Sequence, residues 1–157
     1  MISLRDRLLD KCWRIAYRLA YPVAKIWWRV VGAEGVRIAI WCNGRVLTVH
    51  HSYKLGLQMP GGGLKRGEHP SQAAIRELQE ELSITVQPAQ VARVLSAPSP
   101  YGLVHLYEIS FDIEPKFVVD RREIVAALFL QPHLVDEPNV MIKLYLASAT
   151  YRELLAA

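Results

Sequence analysis

The stretch that most restricts what this chain can fold into is Pro60-Gly61-Gly62-Gly63-Leu64-Lys65-Arg66-Gly67-Glu68, followed after seven residues by Arg76-Glu77-Leu78-Gln79-Glu80-Glu81. Residues 53–67 are glycine-rich and without periodicity, which predicts a loop, and Pro70 sits where proline favours the first turn of a helix. Ala73, Ala74, Leu78 and Leu82 give that helix an apolar face. Glu77, Glu80 and Glu81 fall at i, i+3 and i+4, so a helix projects all three carboxylates from one side, within reach of a common ion. Like charges crowded in this way cost stability unless a cation fills the space, and a hard divalent ion, Mg²⁺ or Mn²⁺, suits the oxygen donors. Such an ion also binds phosphate, polarises phosphoryl oxygens and lowers the pKa of an attacking water. A Glu cluster on a lone helix is more simply a solvated acidic face. The glycine turn, Glu68 ahead of the helix and the triple carboxylate occurring together speak against that.

At 157 residues and 52% hydrophobic content the chain suits one folded unit with decorations. Residues 1–31 carry seven basic and two acidic side chains, a charge of +5, and the total is +4, so residues 32–157 sum to about −1. The basicity belongs to an N-terminal arm, and nucleic acid is an unlikely partner for the body. Cys12 and Cys42 have no Cys or His at metal-ligand spacing and are expected to be free thiols, in keeping with a reducing compartment. Arg7, Lys11, Arg14, Arg18 and Lys25 interrupt the N-terminal apolar residues, which argues against a signal peptide and a spanning helix and for a cytoplasmic protein.

Within residues 3–30, Leu4, Leu8, Cys12, Ile15, Leu19 and Val23 recur at steps of three or four, an amphipathic helical pattern that Pro22 is expected to end or kink. Strand-like runs at Val36–Trp41 and Arg45–His50 flank Asn43-Gly44, a pair suited to a type I′ hairpin turn. Further strand-like runs lie at Val91–Leu95, Leu103–Phe111 and Ile124–Leu130, and Pro138 precedes a last helical stretch to about Leu155. Strands and helices mix without regular βαβ alternation, which favours an α/β layered sandwich with a mixed β-sheet over a doubly wound fold. The expected division is a basic amphipathic helical arm, residues 1–31, and a domain, residues 32–157.

The segment Gly62 to Ile84 resembles the Nudix box, G-x5-E-x7-R-E-U-x-E-E-x-G-U with U a bulky aliphatic residue. Every fixed position matches except Ser83, which replaces Gly, and the resemblance to the Nudix hydrolase family covers roughly residues 34–135. It implies a Nudix-like α/β/α sandwich and a metal-dependent hydrolase cleaving the pyrophosphate bond of a nucleoside diphosphate linked to another moiety. It further implies that Glu77, Glu80 and Glu81 bind Mg²⁺ or Mn²⁺ with the backbone carbonyl of Gly61. Arg76 would hold Glu77 by a charge-assisted hydrogen bond, and Glu68 would support the loop and helix or reach a metal through water. Family members often recruit another carboxylate from a later loop as base or ligand. Glu123 is the candidate here, with Glu108, Asp112 and Glu114 as alternatives. Glycine at position 83 would take positive φ after the helix, so serine implies a modest cost or another exit path, with the carboxylates untouched.

The substrate is less legible. Pro100, 16 residues after Ile84, resembles the ADP-ribose type, and Tyr101, 17 after it, resembles the dinucleoside polyphosphate type. Ser99-Pro100-Tyr101-Gly102 also reads as a plain turn. Tyr101, Tyr53 and His105 are candidates for stacking a base, and His50 and His51 for facing phosphate, against packing or surface roles. A non-catalytic nucleotide-sensing module and an RNA 5′-pyrophosphohydrolase are the alternatives. Sensors of this family usually lose box carboxylates, and here Glu68, Glu77, Glu80 and Glu81 are all present. Homodimers are common in the family and a homodimer is carried as an expectation. The arm's apolar stripe is expected to pack on the domain or on a second subunit. The interleaving of Trp13, Tyr17, Trp27 and Trp28 with Arg and Lys also fits a helix lying at an anionic membrane surface, which would make the protein peripheral there.

Overall fold

The computed structural model describes residues 4–156, with side chains at 7–27, 30 and 32–149. A hairpin starts the domain: β1 (Gly35–Cys42) passes through Asn43 and Gly44 into β2 (Arg45–His51). Both turn residues have positive φ, 47° and 69°, as a type I′ turn requires. With β3 (Ala92–Ser99), β4 (Gly102–Phe111) and β5 (Ile124–Leu130) the strands form one sheet in the order β3-β4-β1-β2-β5. β1 is parallel to β4 and antiparallel to β2, so the sheet is mixed. β3 runs on to Ser99, beyond the expected Leu95, and includes Pro98. Proline is tolerated there because β3 is an edge strand, with ladder partners on one side only.

The helices are α1 (Leu4–Val31), α2 (Pro70–Leu82) and α3 (Val140–Ala156). Alternation along the strands sends Val36, Ile38, Ile40, Leu47 and Val49 to one side, where Ala73, Ala74, Leu78 and Leu82 of α2 meet them. Ala39, Val46 and Leu106 point the other way, onto Met59 and the Ile142 and Leu146 of α3. The result is the expected α/β/α sandwich, with a core on each face of the sheet.

Two departures from the sequence reading concern α1. Pro22 does not end it, and the helix runs through to Val31. Proline removes one N–H and crowds the preceding turn, a loss that contacts elsewhere along a long helix can offset. The stripe of Leu8, Cys12, Ile15, Leu19 and Val23 does not pack on the domain: Leu19 is 72% and Val23 68% exposed, and Ile26, Trp27 and Val30 continue the exposed face. The domain instead receives Asp10, Arg14, Tyr17, Arg18, Tyr21 and Lys25, residues that also recur at helical spacing. The surface they meet is made of backbone carbonyls, tyrosine rings and the Arg122 guanidinium, which reward polar groups and aromatics over aliphatic ones. The side chains of Leu4 and Trp28, part of the amphipathic pattern, lie outside the described residues.

Candidate active site

β1 and β2 are paired only beside their turn, at Trp41↔Val46 and Cys42↔Arg45. Farther along they part, and the glycine-rich loop runs between them. On the β1 side Val36 N–H donates to Gly62 O at 2.8 Å, Ile38 N–H to Pro60 O at 3.0 Å, and Leu64 N–H to Glu34 O at 3.0 Å. On the β2 side Val49 and Gln58 exchange hydrogen bonds of 2.7 and 3.1 Å. The loop is therefore held as firmly as a strand, which satisfies backbone groups that the splayed hairpin would leave orphaned. Gly61, at φ 143°, lies so close to β1 that a Cβ would come within 2.1 Å of Val36 O. At Gly62 a Cβ would strike Glu77 Oε1 at 2.3 Å, so the loop backbone and the α2 carboxylate are in direct apposition.

α2 starts from His69, whose Nδ1 accepts from Ser71 N–H while its own N–H donates to Gln72 Oε1. It ends at Ser83 with φ 56°, the left-handed conformation expected of glycine there, and Ser83 N–H closes the turn onto Gln79 O. Serine thus takes the same exit path as glycine.

Arg76 ties the loop to the helix. Its Nε and Nη2 donate to the two oxygens of Glu68 at 2.8 and 2.9 Å, its Nη1 donates to Glu77 Oε1 at 2.7 Å and Glu80 Oε2 at 2.9 Å, and Nη2 also reaches Gly63 O at 3.0 Å. This bidentate contact holds the Glu68 carboxyl down to about 2. Both Glu68 oxygens are engaged by Arg76, and Oε2 also accepts from Lys65 N–H. Glu68 thus joins the loop to the helix. Glu80 is largely exposed and pairs with Lys65 as well as Arg76.

Glu77 and Glu81 are buried. Burial lifts the Glu77 carboxyl above its ordinary range, against the pull of Arg76. Glu81, 3% exposed, is lifted well above it by burial, and the charges of Glu77 and Glu123 add to the effect. Gly61 N–H donates to Glu81 Oε2 at 3.0 Å. Gly61 therefore presents its N–H to this carboxylate. Glu123 arrives from the turn before β5, where Asp120 caps the backbone by accepting from the N–H groups of Glu123 and Ile124 at 3.0 and 2.7 Å. Ligand atoms of His51, Glu81 and Glu123 all lie within 4.8 Å of one another. Of the four downstream carboxylates considered, Glu123 stands in this cluster. Glu108 accepts from Tyr145 of α3, Glu114 pairs with Arg45 at the far end of the hairpin, and Asp112 is exposed.

Among the substrate candidates, Tyr53 donates to Glu123 through its hydroxyl, and its ring stacks on Tyr17 of α1 at 5.7 Å and packs on Tyr21 at 4.7 Å. Both faces of α1's contact with Tyr53 use up aromatic surface that a base would need. Tyr101 lies in the β3–β4 turn with Lys25 Nζ 6.0 Å from its ring centre. His105 bonds Ser96 and Glu34 instead of reaching toward the carboxylates. His50 is half-buried. Alternation along β2 turns His51 to the α2 side, and the β2–β5 register skips Val125 at that point, passing from His50↔Ala126 to His51↔Ile124.

Two cations whose charge reaches the site were not picked out from the sequence. Arg37 of β1, whose Nε stands 3.9 Å from Glu137, also acts on the Glu81 charge, and Lys54, lowered to about 8 by burial, feels Arg37, Glu123, Glu81 and Lys25. Arg37 sits in a strand that alternation marks as core on both faces, and that lone cation in an apolar run was the available signal.

The model of the NUDIX domain matches residues 33–147. The chain belongs to this family. It is 46% identical over 48 residues to an 8-oxo-dGTP diphosphatase of Escherichia coli, a stretch covering 31% of this chain and 36% of that protein. It is 39% identical over 59 residues to an RNA pyrophosphohydrolase of Roseobacter denitrificans, covering 38% and 33% respectively. The chain thus spans about a third of the length of each curated relative it matches. Among solved structures, a MutT NUDIX hydrolase from Burkholderia pseudomallei aligns with TM-score 0.62 and 17% identity over 74% of this chain and 96% of that one. A Caenorhabditis elegans Ap4A hydrolase aligns with TM-score 0.61 and 18% identity over 78% and 98%. These structures share the sandwich.

Proposed function

We propose that the protein is a metal-dependent pyrophosphohydrolase acting on a nucleoside diphosphate linked to another moiety, of the ADP-ribose or dinucleoside polyphosphate kind. The observation that carries this reading is the gathering of Glu81 and Glu123, whose ligand atoms lie with one of His51 within 4.8 Å, beside a glycine loop whose Gly61 N–H donates to Glu81 and whose Gly62 backbone abuts Glu77. Carboxyls this close together, Glu81 buried and Glu123 half-buried, resist ionising together, and a divalent cation relieves that cost, so the donor set fits Mg²⁺ or Mn²⁺. Glu77, Glu81 and Glu123 would hold it, and when bound it supplies Lewis acidity toward a phosphoryl oxygen and a water of lowered pKa. Arg76 fixes Glu77 against the loop, and Tyr53 orients Glu123 by donating to it. Arg37 and Lys54 favour an anionic substrate, as a diphosphate is. The near-neutral body, about −1 over residues 32–157 of a chain totalling +4, favours a small molecule over nucleic acid.

The test is phosphate release with Mg²⁺ and then Mn²⁺ over ADP-ribose, diadenosine polyphosphates, nucleoside triphosphates and 5′-triphosphate RNA, with Glu81→Gln as control. The expected result is turnover of a linked nucleoside diphosphate, reduced on the order of 10³-fold in the folded Glu81→Gln protein. Full activity in that variant removes Glu81 from the chemistry. Nucleotide binding with no turnover in any arm makes the protein a sensor.

We also propose that α1 seats the protein on an anionic lipid surface. No helix among the described residues is long and apolar enough to cross a membrane. Leu19, Val23, Ile26, Trp27 and Val30 line the helix face turned away from the domain, and exposed Arg7 and Lys11 flank it. An apolar stripe bordered by positive charge complements an anionic interface. Co-sedimentation with phosphatidylcholine vesicles, with and without phosphatidylglycerol, checks this. Binding should need the anionic lipid, weaken with salt and fall by about 10²-fold in Leu19→Asp/Val23→Asp. A lipid-free dimer that the same pair dissolves would assign the stripe to a second copy of the chain.

A further inference from the structure

We infer that His51 is a nitrogen ligand of the metal, completing a mixed set with Glu81 and Glu123, and that the site consequently favours Mn²⁺ over Mg²⁺. The inference rests on the metal-dependent reading above.

His51 is 1% exposed, and neither ring nitrogen has a hydrogen-bond partner. A neutral imidazole has one N–H to donate and one lone pair to fill, and leaving either unmet in the interior costs about 1–3 kcal/mol. The ring is nevertheless held in place: the Tyr53 ring meets it edge-on at 5.4 Å, and the next residue's backbone N–H, that of Ser52, donates to Glu123 O at 2.8 Å, although the buried Ser52 hydroxyl is also without a partner. Of the two ring nitrogens, Nε2 lies on the side where Glu81 and Glu123 come together.

The distances support coordination over a direct bond. His51 Nε2 stands 3.7 Å from Glu81 Oε1, too far for a hydrogen bond. Ligand atoms about 2.1 Å from a shared ion stand roughly 3 to 4 Å from each other. Glu81 is already anchored through Oε2 by Gly61 N–H, which leaves Oε1 as the oxygen on the His51 side. The lone pair of a neutral imidazole is what a metal would take up there. The backbone is rigid, since His51 ends β2 and its neighbour Ser52 is tied to Glu123.

Imidazole separates the two ions. Mg²⁺ demands oxygen donors and keeps its waters, whereas Mn²⁺, a softer transition ion, accepts an imidazole nitrogen more readily. Removing His51 should cost Mn²⁺ affinity and cost Mg²⁺ little.

The test is Mn²⁺ titrated into the full chain without substrate, followed by continuous-wave and pulsed electron paramagnetic resonance. Bound Mn²⁺ in the wild-type protein should show ¹⁴N coupling. The coupling should persist in His50→Gln and vanish in His51→Gln, with Mn²⁺ affinity about 10- to 100-fold weaker. Mn²⁺ that binds wild type without ¹⁴N coupling overturns the ligand, whatever the variants do, and leaves the hydrolase reading standing. Coupling that survives in His51→Gln has the same meaning. An aqueous Mn²⁺ signal unchanged by protein overturns the metal-dependent reading and this inference with it.

Discussion

α1 and α2 are both amphipathic by spacing, yet the sheet takes opposite faces of them. α2 turns Ala73, Ala74, Leu78 and Leu82 inward, and all four are fully buried. α1 turns Arg14, Arg18 and its tyrosines inward, onto Arg121 O, Ser52 O and Tyr53, and leaves its aliphatic stripe outside. The difference lies in what each helix meets. α2 covers strand residues that alternation has made apolar, and burying its stripe removes area from water on both partners. α1 arrives at loop backbone and tyrosine rings near the carboxylates, where donors and aromatics find partners and leucine finds none. A repeat of 3.6 residues marks two faces and says nothing about which one the rest of the chain will want.

That contrast can be broken most directly with two leucines. Leu78→Ala should destabilise the protein by about 2–5 kcal/mol, because it empties a closed part of the core. Leu19→Ser on the exposed face should stay within about 0.5 kcal/mol. Thermal melts of the two variants check this, and a large loss at Leu19 would mean that the stripe is covered in solution.

The polar side of α2 answers to pH. Glu68 is held below its ordinary range by Arg76, so its contribution is fully present above about pH 5 and is lost as pH falls toward 2. Arg76, Lys65, Glu77 and Glu80 are the charged groups around this contact. Glu77 and Glu81, both raised by burial, act in the opposite sense, since protonation relieves them. The difference between wild type and Glu68→Gln isolates the Glu68 part. In metal-free protein that difference should shrink steadily from pH 6 to pH 2.5 in urea melts, and a constant difference would remove the ion pair from the account.

The smallest effect lies at the end of α2. Ser83 holds the left-handed conformation at φ 56° on an exposed residue. Ser83→Gly should stabilise by about 1 kcal/mol and raise Tm by roughly 2–4 °C. A fall in Tm would mean that the serine hydroxyl contributes more than the backbone costs.

Much of the site was legible because its parts are close in sequence. The loop at Gly61 and Gly62, the start of α2 at Pro70 and the side on which Glu77 and Glu81 stand all follow from local spacing. Glu80, at the same spacing, turned out exposed and paired with Lys65 and Arg76, since a helix face is wide enough for one of three carboxylates to reach solvent. Glu123 could be shortlisted from its place before a strand, and only the β2–β5 pairing brought it beside Glu81. Arg37, Lys54 and the tyrosines of α1 were invisible as a group, being drawn together by packing across strands and a distant helix.

The sequence by itself determined what short-range sterics and hydrogen bonding decide: the type I′ turn at Asn43-Gly44, the glycine loop, the extent and apolar face of α2, and the box that marks the family. The tertiary structure alone decided the rest. It parted β1 from β2 so that the loop fits between them, turned α1 with its polar face inward, and set His51 unpartnered beside Glu81 and Glu123. Those outcomes depend on which surfaces meet across long separations in the chain. Burial and pairing energies there belong to neither partner alone, so no local pattern encodes them.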